Sequence, residues 1–522
     1  MAKQRKVLLI LWIITLAFRV WYALAYLNYG NDTFAQQFAA ENFLSGKGIT
    51  LSKINGFDFT HIQYISLKDW PFTLTILQAG FYSVVKDWLL MSQLLTVASV
   101  VLFLLAAYKT MQRIQFPFLH QVFFILTLLF NPLLYADFGV SDWLALAAFS
   151  WSFYAFVTLV KKQDLAAGTI ISYSFLFYLP AAFRYQYYPV VLIFPLVYYF
   201  FNWYNNKSKA KKKALQVMLL TAVLLLTQVI VFYFHSSGDA FLPDRPKGFS
   251  PENLLRSDAF LFKTFFRLDY ILYSFPGHLT VMMPLLAVVN LLVFIGITVY
   301  LVRSFWLSVG QRKFDDRQVI TVAILCFCWA LYLFFAVMSL QYKLQEYPFI
   351  TFTYVGEARY YAPLMYLLLF GLLLVLKEAG SSKIVTFLFT AVIVFNGLLF
   401  TKFLYNTATA NRPVFAFTSM VADRQQAKRN INLLLKDASR PVVIAWYPAS
   451  YLVLNQYKNE TFILRNYKDV FSLPGQPVKP FYLVFSIEKR VQTSEQAFYF
   501  QQKHFTVAYE DHFRVVYFKE VQ

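Results

Sequence analysis

Residues 187–234 read YYPVVLIFPLVYYFFNWYNNKSKAKKKALQVMLLTAVLLLTQVIVFYF: two apolar runs, 187–204 and 214–234, on either side of a short stretch holding the lysines of 207–213. A helix needs about 20 apolar residues to cross a hydrocarbon layer, and loops rich in Lys and Arg stay on the cytoplasmic side. The pair therefore reads as two crossings joined by an inner loop. The same punctuation recurs at Lys3/Arg5/Lys6, Lys109/Arg113, Lys161/Lys162, Arg303/Arg312/Lys313/Arg317 and Lys377/Lys383, and the six clusters hold 18 basic residues against 4 acidic ones. Their spacing fits pairs of crossings and sets which side each loop faces.

Composition agrees. With 59% hydrophobic, 20% aromatic and 14% charged residues in a chain of 522, a water-soluble domain would have to bury more apolar surface than such domains do. The net charge of +20 is not the footprint of a nucleic-acid surface: +14 belongs to the inner loops, +6 lies beyond residue 402, and the remainder balances. Topology explains the charge, and nucleic acid is not an expected partner. Cys326 and Cys328 share one apolar run at i, i+2, where they face different sides of a helix and lack disulfide geometry. The start MAKQRK resembles the charged region of a signal peptide, but the apolar run continues to about Tyr26 without a small-residue cleavage site. It reads as a retained first helix.

The expected fold class is mainly α: a polytopic membrane protein with about eleven transmembrane helices, outer-face amphipathic helices and a C-terminal extracytoplasmic α/β domain. The crossings fall near 7–27, 89–110, 117–135, 142–160, 166–183, 187–204, 214–234, 279–302, 318–340, 359–376 and 384–403. An odd count starting inside leaves the C-terminus outside. Two domains follow, a transmembrane one over 1–404 with long outer loops at 28–88 and 235–278, and a C-terminal one over 405–522. In the first loop Phe34, Phe38, Ala39 and Phe43 recur at helical spacing, which predicts an amphipathic helix over 33–44 lying on the membrane surface and ended by Gly46-Lys47-Gly48. The apolar stretch 72–85 after Trp70-Pro71 is short for a span and reads as interfacial or re-entrant. A shorter outer loop covers 341–358. Beyond about Tyr405 the pattern turns mixed, with a polar helix near 417–437, strands at 441–447, 481–486, 505–509 and 513–518, and a helix at 493–502.

The candidate chemistry lies at the outer surface. Asp32, in Asn31-Asp32-Thr33, stands just beyond the first crossing, where a carboxylate can act as general base, bind a metal or cap the following helix. Asp137 and Asp142 occupy the turn between the third and fourth crossings. With Asp32 they could gather a divalent cation, the only cofactor the chain suggests, and Asp142 could equally cap a helix. Arg184 and Arg359 lie at outer helix ends, and Arg19 lies within the first crossing, where it must face the bundle or snorkel. A guanidinium fork suits phosphate oxygens. Each could instead anchor a helix among headgroups, or pair with Glu357. His61 and His278 fall in outer loops, where a lone histidine is more often an ordinary hydrogen-bonding residue. No HExxH, paired CxxC, Walker loop or GxGxxG occurs, which disfavours zinc peptidase, nucleotide hydrolase and dinucleotide enzyme.

The run Asn31-Asp32-Thr33-Phe34 leading to Ala39-Ala40-Glu41-Asn42-Phe43-Leu44-Ser45-Gly46-Lys47-Gly48, after a helix with a late Arg19, resembles the first outer loop of the GT-C membrane glycosyltransferases. The likeness is to their bacterial branch related to protein mannosyltransferases and aminoarabinose transferases. Pro71 with the apolar stretch after it is similar to that family's re-entrant helix, Ser141-Asp142 to its acidic opening of a helix, and Arg184 and Arg359-Tyr360 to its arginine and Arg-Tyr positions. This chain has a single Asp-Thr where some relatives carry two adjacent acidic residues, and Phe34 where Tyr is frequent. The resemblance implies transfer of a sugar from a polyprenyl-phosphate carrier to a glycan, lipid or protein acceptor at the outer face of a bacterial inner membrane. Asp32 would be the general base, and Arg184, Arg359, Arg19 and Tyr360 would hold substrate and phosphate. A flippase for lipid-linked glycans and an O-antigen-polymerase-like protein are the alternatives.

Overall fold

The computed structural model of the chain describes residues 2–25, 31–55, 58–67, 70–130, 140–161, 166–235, 314–340, 345–347, 350–352, 362–379, 429–444, 461–463, 479–488, 494–510 and 514–522, with scattered positions at 295–306 and 387–401. The helices of the bundle are α1 (Ala2–Ala25), α4 (Trp88–Ile114), α5 (Phe118–Phe130), α6 (Val140–Lys161), α7 (Ala167–Phe183), α8 (Ile193–Tyr204), α9 (Ser208–His235), α10 (Asp316–Leu340) and α11 (Ala362–Ala379), while α2 (Asn31–Leu44) and α3 (Phe72–Val85) lie between α1 and α4. Among the described residues four helices are long and apolar enough to cross a membrane, Leu90–Ile114, Val140–Lys161, Ser208–Phe234 and Asp316–Phe334, and four apolar helices are shorter. The chain is a multi-pass membrane protein. The crossing expected at 279–302 and the loop at 235–278 lie almost wholly outside the described residues.

α6 is the centre of the bundle, buried along most of its length. Ala145, Ala148, Ser152 and Ala155 keep its surface shallow, so neighbouring backbones approach closely. Its hydroxyls are spent on carbonyls: Ser150 donates to Leu146 at 2.8 Å, and Ser152 donates to Ala148 and across to Leu176 of α7. In an apolar medium this is how a small polar side chain avoids a desolvation cost. Large rings fill the space that remains. Tyr366 of α11 meets Phe103, Phe124, Phe149, Phe153 and Phe370 with ring centroids between 5.0 and 6.4 Å.

Two expectations need correction. The run 187–204 does not form one crossing helix. α7 stops at Phe183, a short 3-10 turn holds Tyr185–Tyr187, and α8 begins only at Ile193, because Pro189 cannot supply a backbone donor. At 12 residues α8 is about 18 Å long. Nor does α2 lie on a surface as an amphipathic helix. It begins at Asn31, two residues earlier than expected, and six consecutive residues from Ala35 to Ala40 are buried, more than one full turn. Over 35–40 the helix is covered on every side and has no lipid-facing stripe, although Phe43 and Leu44 at its end are exposed, and Gln36 and Gln37 share the interior with Phe38. Its end is as expected: Gly46 and Gly48 take φ of 75° and 74°, and Lys47 N–H closes on the Asn42 carbonyl at 2.8 Å.

Outside the bundle a seven-stranded sheet runs β2-β1-β6-β5-β7-β9-β8. β5 (Val442–Ile444), β6 (Thr461–Ile463), β7 (Phe481–Glu488), β8 (Thr506–Glu510) and β9 (Arg514–Val521), with α12 (Ser494–Gln502), come from the C-terminal part. β1 (Thr50–Asn55) and β2 (Asp58–Ser66) form a hairpin from the loop between α1 and α4, which the sequence pattern did not reveal. β1 pairs in parallel with β6 through Lys53 and Ile463, so the two ends of the chain share one sheet. A further small pair, Gln345–Tyr347 with Ile350–Phe352, lies in the loop expected at 341–358.

α3 runs from Pro71, as the short apolar stretch predicts, and turns through left-handed Lys86 into α4, whose first turn is capped by Asp87 accepting from Leu90 N–H at 2.9 Å. Tyr82 of α3 stacks on Trp88 of α4 at 4.1 Å. Trp88 is 1% exposed. Replacing it, W88A, should cost roughly 3–5 kcal/mol, measured as a lowered unfolding midpoint of the purified protein in detergent.

Candidate functional site

Asp142 stands in the first turn of α6 and Lys161 in its last, so the two lie toward opposite ends of the bundle. A helix of 22 residues spans about 33 Å. Lys161 donates to the Arg113 carbonyl at the end of α4, and Lys377 donates to Ile114 and Gln115 carbonyls there. That is the basic end. Asp142, the end of α7 and the start of α4 form the opposite end, which holds the candidate site.

α2 brings Asp32 to this end. The helix starts at Asn31, so Asp32 stands in the first turn rather than before it, and its side chain lies outside the described residues. The next residue, Thr33, is buried. Two contacts fix how α2 sits on α4. Gln37 donates to Ser92 Oγ at 2.7 Å, and one turn further along α2 Glu41 accepts the Trp88 indole N–H at 3.1 Å. As the chain advances four residues on α2 it retreats four on α4, so the helices run antiparallel. Thr33 is thus level with Thr96, also buried, so the first turn of α2 lies beside the interior part of α4. α2 and α3 pack against each other, α2 against α6 and α3 against α7.

Those last two helices present the ion pair. Arg184, the residue after α7, donates through Nη2 to Asp142 Oδ1, and both side chains are buried, 7% and 2% exposed. The backbone explains the position of Arg184: α7 contains Pro180, and its last turn closes with Arg184 N–H on the Pro180 carbonyl at 3.1 Å before the chain turns extended at φ −149°. Tyr187, buried in the 3-10 turn, lies within electrostatic reach of both partners. Arg19 is buried at 3% and donates to the Leu128 carbonyl of α5, so it faces the bundle as expected. Arg359, Tyr360, Asp137 and His278 lie outside the described residues, while His61 is exposed on β2. Among the described residues no three His, Cys, Asp or Glu side chains gather as a metal site would require.

No protein-family model and no curated protein matches the chain. Solved structures do. The crystal structure of ArnT from Cupriavidus metallidurans bound to undecaprenyl phosphate aligns with 99% of this chain and 97% of its own, at 13% identity and a TM-score of 0.50. The chain has the ArnT fold. The same protein in the apo state gives 14% identity over the same shares with a TM-score of 0.46, which adds nothing to that assignment. The resemblance drawn from the first outer loop to the aminoarabinose-transferase branch thus extends, as fold, over nearly the whole chain.

Within the ArnT fold of this chain, three features of the site escaped the sequence pattern. The partner of Arg184 is Asp142 and not a neighbour along the chain. Tyr187 was hidden inside an apparent crossing. Glu41 was visible only as part of a motif, yet its contact with Trp88 spans 47 positions. Removal from water raises the partly buried Glu41 carboxyl to about 8, a rise that the Trp88 hydrogen bond opposes. At neutral pH it is therefore mostly protonated.

A folded-state value above the ordinary carboxylate one means that the fold holds this proton more tightly than the unfolded chain. Its contribution to stability is fully present below about pH 4.5 and is lost as pH rises toward about 8. Glu41→Gln keeps an acceptor for Trp88 and cannot ionise. The variant should match the wild type near pH 4 and exceed it at pH 8, with a gap growing by at most about 1.4 kcal/mol per pH unit, read from unfolding midpoints across that range. The ion pair makes a second prediction: Arg184→Ala takes the guanidinium away from the buried Asp142 carboxylate, which should cost roughly 3–5 kcal/mol, whereas the double change D142L/R184M should recover most of it. Thermal unfolding of the three proteins reads both outcomes.

Proposed function

We propose that the chain is a polyprenyl-phosphate-dependent membrane glycosyltransferase. The observation that carries this reading is the fold shared over 99% of the chain with ArnT, whose crystal structure holds undecaprenyl phosphate. A lipid-linked donor fits a chain with long apolar helices and no dinucleotide-binding motif, because the carrier's tail stays in the membrane. The reading includes about eleven crossings, an N-terminus in the cytoplasm and a C-terminal domain outside a bacterial inner membrane, as the basic loops indicate.

In the proposed reaction an acceptor hydroxyl oxygen, on a glycan, a lipid or a protein, attacks the anomeric carbon of the donor sugar. The bond from that carbon to the phosphate oxygen breaks, polyprenyl phosphate leaves with its electron pair, and the configuration inverts. Asp32 takes the hydroxyl proton. Developing negative charge on the phosphate needs cations held in place before the reaction. Arg184 and Arg359 are assigned this task with Arg19 behind them, and Tyr360 is assigned a contact to the substrate. Asp142 accepts from one of the five N–H donors of the Arg184 guanidinium, which directs the rest of the fork. Asp142 and Asp137 are also the acidic groups that would join Asp32 around a divalent cation, in which case the cation would share the phosphate charge.

Purified protein given a radiolabelled polyprenyl-phosphate sugar and membrane extract as acceptor source tests this. Transfer of label with release of polyprenyl phosphate supports the proposal, and Asp32→Asn should lower turnover by about 10²–10⁴-fold while donor binding persists. Movement of the lipid between leaflets without bond breakage would overturn it in favour of a transporter. Wild-type turnover in D32N would remove Asp32 from the mechanism.

A further inference from the structure

Among the described residues the basic end gathers more cations than carboxylates. Three helices converge there on the last carbonyls of α4: Arg113 belongs to α4 itself, Lys161 of α6 donates to the Arg113 carbonyl, and Lys377 of α11 donates to Ile114 and Gln115 at 3.2 and 2.9 Å. Lys161 also lies within electrostatic reach of Arg113 and Arg317, and Lys377 within reach of Arg317 and Lys161. Lys207 joins them around Asp316. Among the described residues the carboxylates at this spot are Asp315 and Asp316, against five cations. The negative end of α4 offsets only about half a charge.

The cations are reachable: Arg317 and Lys207 are exposed, and Arg113, Lys161 and Lys377 are partly so. The Arg113 Nε has no hydrogen-bond partner among the described residues although the atom itself is buried. What leads up to them is apolar. Leu102 and Leu105, 43% and 40% exposed, stand on α4 at the spacing that puts Lys109 and Arg113 on the same stripe. A molecule lying along this stripe would meet hydrocarbon first and cations last. Lys109 leans over the Trp151 ring of α6 at 5.8 Å, and Lys377 over Phe116 at the same distance, so both ammonium groups stay at the boundary between rings and water.

We infer that this cluster is a binding site for one acidic phospholipid, its phosphate among Arg113, Lys161, Arg317 and Lys377 and an acyl chain along Leu102 and Leu105. A soluble phosphate would satisfy the cations but leave the apolar stripe unused, and a zwitterionic headgroup would bring its own cation into the cluster. Basic pockets between membrane helices at a cytoplasmic surface hold anionic headgroups in this way. Along α6 the site lies about 29 Å from Asp142, and it does not depend on the proposed transferase chemistry.

Native mass spectrometry of the purified, delipidated protein, titrated with phosphatidylglycerol, with phosphatidylcholine and with inorganic phosphate, tests the assignment. The expected result is one phosphatidylglycerol retained per chain, with phosphatidylcholine at least tenfold weaker and inorganic phosphate not competing at millimolar concentration. Arg113→Gln and, separately, the exposed Arg317→Gln should each weaken phosphatidylglycerol by about fivefold, the worth of one basic residue beside an anionic headgroup, with unfolding midpoints in detergent unchanged. If R113Q proves unstable, R317Q alone decides. Equal retention of phosphatidylcholine, displacement by inorganic phosphate, or undiminished binding in R317Q would overturn the inference.

Discussion

An unpaired charge cannot remain among apolar helices, and most of this architecture follows from where charges can be placed. The bundle answers the constraint in three ways. Among the described residues it gathers Arg113, Lys161, Lys207, Arg317 and Lys377 at one end, where Lys161 and Lys377 donate to carbonyls at the end of α4. It sends Arg19 to a carbonyl of a neighbouring helix. It closes Asp142 and Arg184 on each other at the opposite end. Among the described residues only the third leaves a cation and an anion both buried, and a buried pair is a weak source of stability because desolvation consumes much of the attraction.

The same constraint at smaller scale governs α2. A helix with Gln36, Gln37 and Glu41 on it would ordinarily leave those groups in water, yet here it is covered on all sides over 35–40. Gln37 answers with Ser92 and Glu41 with Trp88, and the carboxyl sheds its charge by holding a proton. The interior is polar but almost uncharged. Tyr82 stacked on Trp88 closes the layer from the side of α3.

How much of this could be read from residues alone depends on the range of the contact that decides each feature. The crossings were legible because a run of apolar residues and its basic flank are local, and α4, α6, α9 and α10 fall where the runs lie. α3 was legible for the same reason, with Pro71 marking its start. The strands after residue 440 showed in their β-branched and aromatic runs. The hairpin 50–66 did not, because TLSKIN and DFTHIQYIS carry no strong alternation and become strands by pairing with each other and with Thr461–Ile463, some 400 positions away. α2 misled in a different manner: its phenylalanines have the spacing of an amphipathic helix, and nothing local says that the polar side is also buried. At the site, the residue types of the ion pair were identifiable, but their pairing spans 42 positions and depends on how α6 packs on α7.

The shared sheet gives α2 a second set of anchors. One residue after Glu41, Asn42 donates to the Thr50 carbonyl at 2.8 Å and to Ser52 Oγ at 3.1 Å, tying the helix end to β1, and Lys47 leans over Tyr64 of β2 at 5.2 Å. α2 is thus held to the bundle through Gln37 and Glu41 and to the sheet through Asn42. A helix fixed on two sides by hydrogen bonds that cannot both be kept if it rotates has one orientation, and so does its first turn. In the proposed reaction, where Asp32 meets an acceptor hydroxyl, that orientation would matter more than the strength of any single contact, since a displacement of about 1 Å can cost a hundredfold in rate. Through β6, β1 and Asn42 the C-terminal strands help decide where α2 is held, and under the proposed function they would bear on transfer without touching substrate.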